Sequence, residues 1–468
     1  MPRTTKTRTR GYRPHVRRVE RVQDPACALV ALSSEPRPVL LHSAGGAPAR
    51  FSLLGFAPRE VVELAPPAAA AWAELARVLD GLAAWAPTER LPGPFQGGFL
   101  GALSYDLHAP GARLDLPADL PAEPFAQPLV VGGIYTDFLV WEHDAERCFL
   151  VLDDDDTRPA REARLLAALA EECPAPRAPG GHFRRATSAP AHRRGVEAVR
   201  AQIEAGEIYQ ANLSHRLVGR LPGDPRDAYR SLIAANPVPF AGYIGWPGGA
   251  LLSASPELLF EVDADVPGEP RRVRTRPIKG TAPRSTDPER DAALGAALLV
   301  SAKDRAELAM IVDLERNDLG RVARLGPGGG ARVDTEARLE RYASVQHLVA
   351  DVSAELAPGV TPVELLGALF PGGSITGAPK LRSMEVIAAL EGAGRGFFTG
   401  SLGFVDTRGA AAFNILIRSL LWQASGDVSL RVGGGVTWAS DPRAEDEETL
   451  HKAASLLAGL GAGLDPRR

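Results

Sequence analysis

The stretch Gly433-Gly-Gly-Val-Thr-Trp-Ala-Ser-Asp-Pro-Arg-Ala-Glu-Asp-Glu-Glu-Thr-Leu-His-Lys452 passes from strand to helix patterning. The apolar run before it, residues 428–432, predicts a strand. The three glycines then predict either a turn at which a ligand can approach the backbone closely, or a tight turn with no further role. Asp441 is a good helix N-cap and Pro442 suits the first helical position, so we predict a helix that starts here.

Charged residues form one face of this predicted helix. Glu445, Glu448 and Lys452 are spaced three and four residues apart, so their side chains lie on the same side. Two carboxylates and an ammonium can hold a hard cation beside an anionic ligand. A solvated charged face is the other interpretation of the same spacing.

A second acidic helix is predicted upstream, within residues 301–318. Asp304 and Glu307 again stand three residues apart, and an apolar stripe runs along the helix. Carboxylates that face one another from two helices repel strongly unless a cation lies between them. Because no His or Cys accompanies them, Mg²⁺ is the cation we expect. An exposed helix with ordinary salt bridges is the alternative.

The segment Pro277-Ile-Lys-Gly-Thr281 places Lys279 among apolar and turn residues. The chain has only five lysines among its 53 basic residues, so a lysine in such a segment stands out. Burial can lower a lysine pKa from about 10.4 toward roughly 7–8, which makes the amine a usable nucleophile, whereas an ordinary surface lysine is the alternative. Glu257 is a candidate acid or base for the same site.

Two further features indicate anionic ligands. The glycine-rich segment from Pro371 to Lys380 leads into a predicted helix at 379–391, and free backbone N–H groups at a helix start bind anions. Arg418 ends an apolar, strand-like run, residues 412–418, where an unpaired charge is costly. Its guanidinium can bind a ligand carboxylate bidentately, and a buried ion pair with a protein acid is the alternative. For the glycine-rich segment, the alternative is a simple tight turn.

The composition excludes several classes of protein. The chain has 468 residues, is 45% hydrophobic and carries a net charge of −4, so it can bury a sizeable core and has no global basic field for nucleic acid. No apolar run approaches the ~18 residues of a membrane span, so we expect no membrane association. Cys27, Cys148 and Cys173 show no short spacing and are expected to be reduced, cytoplasmic thiols.

The chain is expected to consist of two main regions with short flanking segments. In chain order these are a basic, disordered tail (1–25), a strand-rich region (26–172), a Pro- and Gly-rich linker or loop (173–191), a region of alternating strands and amphipathic helices (192–460) and a short tail (461–468). One Ala-rich helix is predicted at 68–85. A transit peptide and a nucleic-acid-binding arm are the alternatives for the basic tail.

Taken together, these segments resemble the chorismate-binding enzyme family, which includes anthranilate synthase component I, aminodeoxychorismate synthase component I, and isochorismate and salicylate synthases. The resemblance covers about residues 195–455, in the family's order, and its stretches are Gly206-Glu-Ile-Tyr-Gln-Ala-Asn-Leu213, Ser255-Pro-Glu-Leu258, Pro277-Ile-Lys-Gly-Thr281, Asp304-Arg-Ala-Glu307 through Asn317-Asp318, His347-Leu-Val349, Phe370–Lys380, Gly433–Gly435 and Glu445–Lys452. It implies an α+β fold in which two antiparallel sheets pack as a sandwich with helices on the outer faces. The two halves of the chain would then form one intertwined body.

The resemblance also implies a role for each candidate residue. Mg²⁺ would be bound by Glu307 and Glu448, with Asp304 and Glu445 nearby, and would hold the ring carboxylate of chorismate. The substrate would further be bound by Arg418, Lys452, Gly433, Gly434 and Gly435 at its enolpyruvyl carboxylate, and by Gln210, Thr281, His347 and Thr376 elsewhere. Glu257 would serve as the acid toward the departing 4-hydroxyl.

Position 279 separates members of this family. Anthranilate synthases usually read Pro-Ile-Ala-Gly-Thr, whereas aminodeoxychorismate synthases typically read Pro-Ile-Lys-Gly-Thr, as this chain does. The implied reaction is attack by Lys279 on ring C2 with loss of the 4-hydroxyl. Ammonia then adds at C4 and expels the lysine, which gives 4-amino-4-deoxychorismate on the path to 4-aminobenzoate and folate. Isochorismate and salicylate synthases carry a water-activating lysine where Gln210 stands.

The implied partner is a glutamine amidotransferase subunit that supplies ammonia. Such an active site needs a cysteine on a glycine-flanked turn, which none of the three cysteines occupies, and the chain ends soon after Lys452. The main alternative function for the chain is that of anthranilate synthase component I, followed by isochorismate or salicylate synthase and a non-catalytic regulatory homologue. A DNA-binding role for the basic tail is a further alternative. Tryptophan-binding relatives usually read Leu-Leu-Glu-Ser where this chain has His42, which leaves tryptophan binding open.

Overall fold

The structure is a computed structural model. It describes residues 12–20, 23–45, 50–108, 127–326, 329–342 and 345–465, together with residues 114, 116, 121 and 125. Among the described residues, none of the helices combines the length and the hydrophobicity of a membrane span.

The strands are numbered here in chain order. They are β1 (Pro14–Val19), β2 (Val39–His42), β3 (Phe51–Gly55), β4 (Glu60–Leu64), β5 (Gly98–Leu103), β6 (Val130–Tyr135), β7 (Phe138–Glu142), β8 (Arg147–Asp153), β9 (Gly181–Arg185), β10 (Gln210–Arg220), β11 (Ala241–Trp246), β12 (Gly249–Ser253), β13 (Leu258–Val262), β14 (Arg272–Arg276), β15 (Ile278–Pro283), β16 (Arg332–Arg341), β17 (Val345–Glu355), β18 (Gly377–Ala378), β19 (Ser401–Asp406), β20 (Ala411–Asn414), β21 (Ser419–Gln423), β22 (Asp427–Val436) and β23 (Ala462–Leu464).

The helices are numbered in the same way. They are α1 (Pro25–Ala31), α2 (Ala68–Asp80), α3 (Arg158–Ala170), α4 (Ala189–Glu204), α5 (Pro225–Ala235), α6 (Pro288–Val300), α7 (Ala302–Gly320), α8 (Pro362–Leu369), α9 (Lys380–Glu391) and α10 (Pro442–Gly459). The N-cap of α10 is Asp441, whose side chain accepts from the backbone N–H groups of Arg443 and Ala444, as the sequence predicts. The Ala-rich helix predicted at 68–85 is also found, as α2 followed by a short 3₁₀ turn.

Two sheets hold all the strands of the described residues. The larger sheet has the order β1-β8-β7-β3-β2-β11-β12-β21-β22-β10-β9-β23, with β18 beside β10. The other has the order β15-β17-β14-β13-β20-β19-β5-β6-β4, with β16 beside β17. The strand pairs are antiparallel except for β9 with β23. The predicted α+β class with two antiparallel sheets is therefore confirmed, with this one parallel pair as an addition.

Apolar side chains divide the molecule into layers. One cluster lies between the sheets and includes Leu53 and Phe138 of the larger sheet and Leu100 and Leu402 of the other. The opposite face of the larger sheet packs on α1, α3, α5 and α10, and the opposite face of the other sheet packs on α2, α7 and α8. This is a sandwich with helices on both outer faces, because each sheet has two apolar faces to bury.

Both sheets mix strands from the two halves of the chain. In the larger sheet β2 pairs with β11, where Leu41 lies opposite Gly242. In the other sheet β5 pairs with β19, where Gly101 lies opposite Gly403. The two halves are therefore one intertwined body, as the resemblance implies.

Several predicted tails and linkers are wrong in part. Pro14–Val19, inside the predicted disordered tail 1–25, forms the edge strand β1 against β8, while residues 1–11 lie outside the described residues. Gly181–Arg185, inside the predicted linker 173–191, pairs with β10, and Ala462–Leu464, inside the predicted tail 461–468, pairs with β9. These segments satisfy their backbone hydrogen bonds by extending a sheet edge, which sequence alone does not reveal.

The expectation of three reduced thiols is also wrong. Cys27 and Cys173 form a disulfide, with Cα atoms 5.9 Å apart, and only Cys148 is free and buried. The bond joins α1 to the segment that follows α3, across a sequence separation of 146. The absence of a short spacing between cysteines therefore does not exclude a pair that the fold brings together.

Candidate active site

Glycines of β22 form the floor of the candidate site. The predicted turn at Gly433–Gly435 is wrong, because all three glycines lie within the strand, opposite Ser214, Leu213 and Asn212 of β10. A Cβ at Gly435 would lie 2.7 Å from the Gln210 amide nitrogen and 3.0 Å from Lys279 Nζ. The absence of a side chain there lets a lysine and an amide reach the strand, so close approach is the reason for glycine.

Lys279 reaches this floor from the other sheet. It lies on β15 opposite Leu348, and Gly280, with φ of +76°, follows it at an irregularity in the strand pairing. Its ammonium lies 3.9 Å from the Glu307 carboxylate, and its side chain is 14% exposed. Burial lowers the pKa of Lys279, and Lys452 lowers it too, whereas Glu307 raises it.

Glu307 and Glu448 approach the site from α7 and α10. Lys303 on α7 lies 4.0 Å from Glu307, and Lys452 on α10 lies 2.8 Å from Glu448. Burial raises the pKa of Glu448, but the charges of Lys452, Lys303 and Lys279 outweigh it and lower the pKa overall. Lys279 and Lys303 lie within 4.0 Å of Glu307 and also lower the pKa of Glu448, so both acids lie near the same two lysines.

Asp304 and Glu445 are held by serines at the edge of this group. Ser301 Oγ donates to Asp304 at 2.5 Å, and Ser440 Oγ donates to one oxygen of Glu445 at 2.6 Å. The other oxygen of Glu445 lies 3.1 Å from the Cβ position of Gly434, so it faces the floor. Carboxylate oxygens without His or Cys are the donor set of Mg²⁺, so these residues fit the expected cation chemically.

The closest group of metal-type ligands in the described part lies elsewhere. Atoms of His192, His215 and Asp446 come within 4.8 Å of one another, all buried, whereas the four predicted acids do not form such a group. Arg185 donates to both oxygens of Asp446, and His192 Nδ1 lies 3.0 Å from one of them. Since an arginine neutralises its carboxylate, we interpret this cluster as a structural ion-pair network.

Glu257 and Arg418 interact through their charges without forming an ion pair. Glu257 is 4% exposed, and burial raises its pKa to about 7, although Ser374, Lys279, Ile278 and Arg418 lower it. Arg418 does not continue a strand as predicted, since β20 ends at Asn414 and Arg418 has φ of +51°. No acid of the described residues lies within 4.0 Å of its guanidinium, which leaves the group able to bind a ligand carboxylate.

Uncharged groups complete the lining. Thr281 Oγ1 lies 2.9 Å from His347 Nδ1, and burial lowers the pKa of His347 to about 4, so the ring is neutral near neutral pH. His347 Nε2 and both amide atoms of Gln210 are buried without a hydrogen-bond partner among the described residues. Thr376 donates to the Gly372 carbonyl at 2.8 Å. Because these polar atoms of Gln210 and His347 have no hydrogen-bond partner in the folded chain, they are available to bind a ligand.

Two groups near the site are not among the residues predicted from the sequence. Glu315 is 7% exposed on the buried face of α7, and Ser374 is 4% exposed in the turn after α8. The position of Glu315, three and four residues after Val312 and Ile311, was the available signal, because an acid on an apolar stripe is costly to bury.

A separate cleft of about 950 Å³ opens beyond α7. Its mainly apolar walls come from α7, α8 and α9 and include the ion pair of Asp318 with Lys380, 2.6 Å apart. None of the predicted site residues lines it.

Known proteins have a similar architecture and related sequences. The solved structure of anthranilate synthase component I from Streptococcus pneumoniae TIGR4 superposes with a TM-score of 0.74 at 26% identity, over 88% of this chain and 93% of that one. The chain therefore has the fold of that class of enzyme. The sequence pattern of the chorismate binding enzymes matches residues 37–458, and the chain belongs to this enzyme family.

Relatives with two different names are about equally similar. Anthranilate synthase component 1 of Haloarcula marismortui is 36% identical over 95% of this chain and 92% of its own length. Aminodeoxychorismate synthase component 1 of Klebsiella aerogenes is 39% identical over 78% of this chain and 78% of its own length. Overall identity therefore gives the family and not the reaction of the individual member.

Proposed function

We propose that the chain aminates chorismate at C4 to give 4-amino-4-deoxychorismate, with Mg²⁺ as cofactor and ammonia from a glutamine amidotransferase partner. The product would feed the formation of 4-aminobenzoate and folate in the cytoplasm. The single observation that carries the proposal is the position of Lys279. In this member of a chorismate-binding family, the Lys279 amine has a lowered pKa and lies next to the glycine strand at Gly435. It is also close enough to the buried acid Glu257 to interact with its charge.

The order of events follows from the chemistry of these groups. The neutral Lys279 amine attacks ring C2 while Glu257 protonates the 4-hydroxyl, which leaves as water. A pKa of about 7 gives Glu257 a substantial protonated fraction near neutral pH, as an acid at that position needs. Ammonia then bonds to C4, and the electrons of the C2–N bond return to Lys279 as it leaves.

Binding follows from the charges around the floor. Arg418 and Lys452 would bind the enolpyruvyl carboxylate with backbone groups of the glycine strand. Glu307 and Glu448 would hold Mg²⁺, which supplies positive charge for the ring carboxylate when bound. Gln210, Thr281, His347 and Thr376 would border the ring, where neutral donors and acceptors orient it without adding charge.

Anthranilate synthase is the second candidate function. It is favoured by the Haloarcula marismortui relative of that name, which aligns with nearly the whole of this chain. In that case Lys279 would be incidental and the product would lack the enolpyruvyl group. The position of Lys279 within the site weighs against an incidental role.

Product identification tests the proposal directly. The purified chain is incubated with chorismate, Mg²⁺ and an ammonium salt, and the products are identified by mass. We expect 4-amino-4-deoxychorismate without pyruvate. Anthranilate and pyruvate as the main products would overturn the assignment in favour of the second candidate.

A further inference from the structure

Unpaired polar atoms are buried around Glu257 and Glu315. Glu257 Oε1, Ser374 Oγ, Glu315 Oε2 and Thr275 Oγ1 are inaccessible to solvent, and none has a hydrogen-bond partner among the described residues. An unpaired buried polar atom is costly, because it has given up its hydrogen bonds to water. Four such atoms therefore indicate ordered water or shared protons between these side chains.

The four side chains lie along one route. Ser374 lies next to Glu257 and lowers its pKa, and Thr275 does the same for Glu315, although neither hydroxyl forms a direct hydrogen bond to its carboxyl. A Cβ at Gly373 would lie 2.7 Å from Leu314 Cδ2, so α7 touches the turn that carries Ser374. Glu315 lies on the buried face of the same helix, and the charge of Glu257 raises its pKa, so the two carboxyls are close enough to interact.

The route continues from Glu315 toward the cleft beyond α7. Asp318 follows one helical turn later and lines that cleft in its ion pair with Lys380. Burial raises the pKa of Glu315 to about 8. The charges of Glu257 and Asp318 raise this pKa further. The Thr275 hydroxyl and the charge of Lys380 lower it. Glu315 is thus a protonated carboxyl near neutral pH, and it interacts electrostatically with Glu257 and with the Asp318–Lys380 pair that lines the cleft.

We propose that Glu315 is a proton-relay residue, which returns a proton to Glu257 in each turnover with water in the Asp318–Lys380 cleft as the source. The relay rests on the proposed function, in which Glu257 protonates the departing hydroxyl. Glu315 touches no substrate and acts only through Glu257.

The protons of one turnover balance in this scheme. Glu257 gives its proton to the 4-hydroxyl, the C4–O bond breaks and water leaves. Ammonia forms the C4–N bond, and the product keeps all three hydrogens as an ammonium group while Lys279 returns to its neutral form. Glu257 is then a carboxylate, so one proton must enter. Glu315 supplies it by way of Ser374 or buried water and is recharged from the cleft.

Kinetics of the full chain test the relay. Chorismate consumption with Mg²⁺ and ammonium is measured against pH for Glu315→Gln, with Asp313→Asn, an exposed acid of the same helix, as the matched control. We expect kcat to fall about 10-fold or more in Glu315→Gln. We also expect an unchanged KM, a loss of kcat that grows as pH rises toward about 8, where Glu315 itself ionises, and partial recovery of Glu315→Ala by formate or acetate. A wild-type kcat and pH profile, or a loss of kcat with raised KM and no rescue, overturns the relay.

A measurement without turnover separates this inference from the proposed function. The infrared carbonyl band of protonated carboxyl groups is titrated in the resting enzyme. We expect a band that titrates near or above neutral pH, is missing in Glu315→Gln, and shifts its midpoint in Glu257→Gln. A Glu315 band that does not respond to Glu257→Gln overturns the relay, whatever product the enzyme forms. A different product with the coupled bands intact refutes only the proposed function.

Discussion

The ammonium of Lys279 lies 3.9 Å from the carboxylate of Glu307, and this contact joins strand β15 to helix α7 at the floor of the site. Burial lowers the pKa of Lys279, and the charge of Glu307 raises it. An amine attacks carbon only after it has lost its proton, so these two opposing effects set the fraction of lysine that is ready to react. The same acid is also the proposed metal ligand on α7.

Replacement of Lys279 tests the nucleophile. Lys279→Ala should lower amination roughly 10³-fold or more and prevent any covalent adduct with chorismate. Lys279→Arg should fail as well, because a guanidinium stays protonated and cannot attack. Mass spectrometry of enzyme quenched during turnover checks for the adduct, with Lys303→Ala as a control for an exposed lysine nearby. An adduct on another lysine, or full activity in Lys279→Ala, would refute the role.

Neutral replacements of two acids test the metal site. Glu307→Gln and Glu448→Gln should each weaken Mg²⁺ binding and abolish turnover, because an amide leaves the cation with too little negative charge. Glu447→Gln is the matched control, since Glu447 is an exposed acid on the same turn of α10 that pairs with Arg443. Calorimetric titration with Mg²⁺ measures the binding. Unchanged affinity in the two site variants contradicts the assignment.

A single methyl group on the floor tests the need for close approach. Gly435→Ala would place Cβ 3.0 Å from Lys279 Nζ and 2.7 Å from the Gln210 amide, both of them ends of flexible side chains. The protein should therefore fold while both groups move, and misplacement by about 1 Å can reduce kcat/KM about 100-fold. Gly320→Ala, whose Cβ meets nothing within 4 Å, is the control. Equal kcat/KM in the two variants would mean that the floor does not position Lys279.

Local rules predict the helical parts of the site well. Asp441 caps α10 and Ser301 caps α7, so the spacing of Glu445 and Glu448 translates directly into a shared face. Such a prediction needs only a few neighbouring residues.

Features that depend on contacts between residues far apart in the sequence cannot be predicted from local patterns. The glycines of β22 read as a turn until β10, far away in sequence, pairs with them. Cys27 meets Cys173 only because the chain folds back over a separation of 146 residues. The proposed role of Glu315 depends on the nearby charges of Glu257 and Asp318. The sequence of its own helix shows only an acid at an apolar position. Each depends on contacts that local periodicity does not encode.

Glutamine dependence tests the proposed partner. The purified chain should aminate chorismate with ammonium salts and fail with glutamine alone, because no described cysteine has the setting of an amidotransferase nucleophile. Cys27 and Cys173 are joined to each other, and burial raises the pKa of the Cys148 thiol to about 12. Addition of a glutamine amidotransferase subunit should restore glutamine-dependent turnover. Robust amination from glutamine by this chain alone would contradict the prediction.

The pH dependence of stability tests the protonation of Glu315 in the folded protein. Its pKa rises from 4.5 to about 8 on folding, so the native state binds a proton that the unfolded chain releases. This contribution to stability is fully present below about pH 4.5 and is lost as pH rises through about 8. Glu315→Gln carries a neutral amide at every pH, so its stability does not depend on pH through this position. Relative to wild type, the variant should therefore gain stability as pH rises.

Denaturant unfolding of both proteins at an acidic and a mildly alkaline pH measures this difference. Glu257, which is raised to about 7, titrates in both proteins, so much of its effect cancels in the comparison. Asp313→Asn, exposed on the same helix, should show no pH-dependent difference from wild type. A stability difference between Glu315→Gln and wild type that is the same at both pH values would mean that folding does not raise the pKa of Glu315, which would then be ionised near neutral pH. The relay would then have no proton to pass on to Glu257.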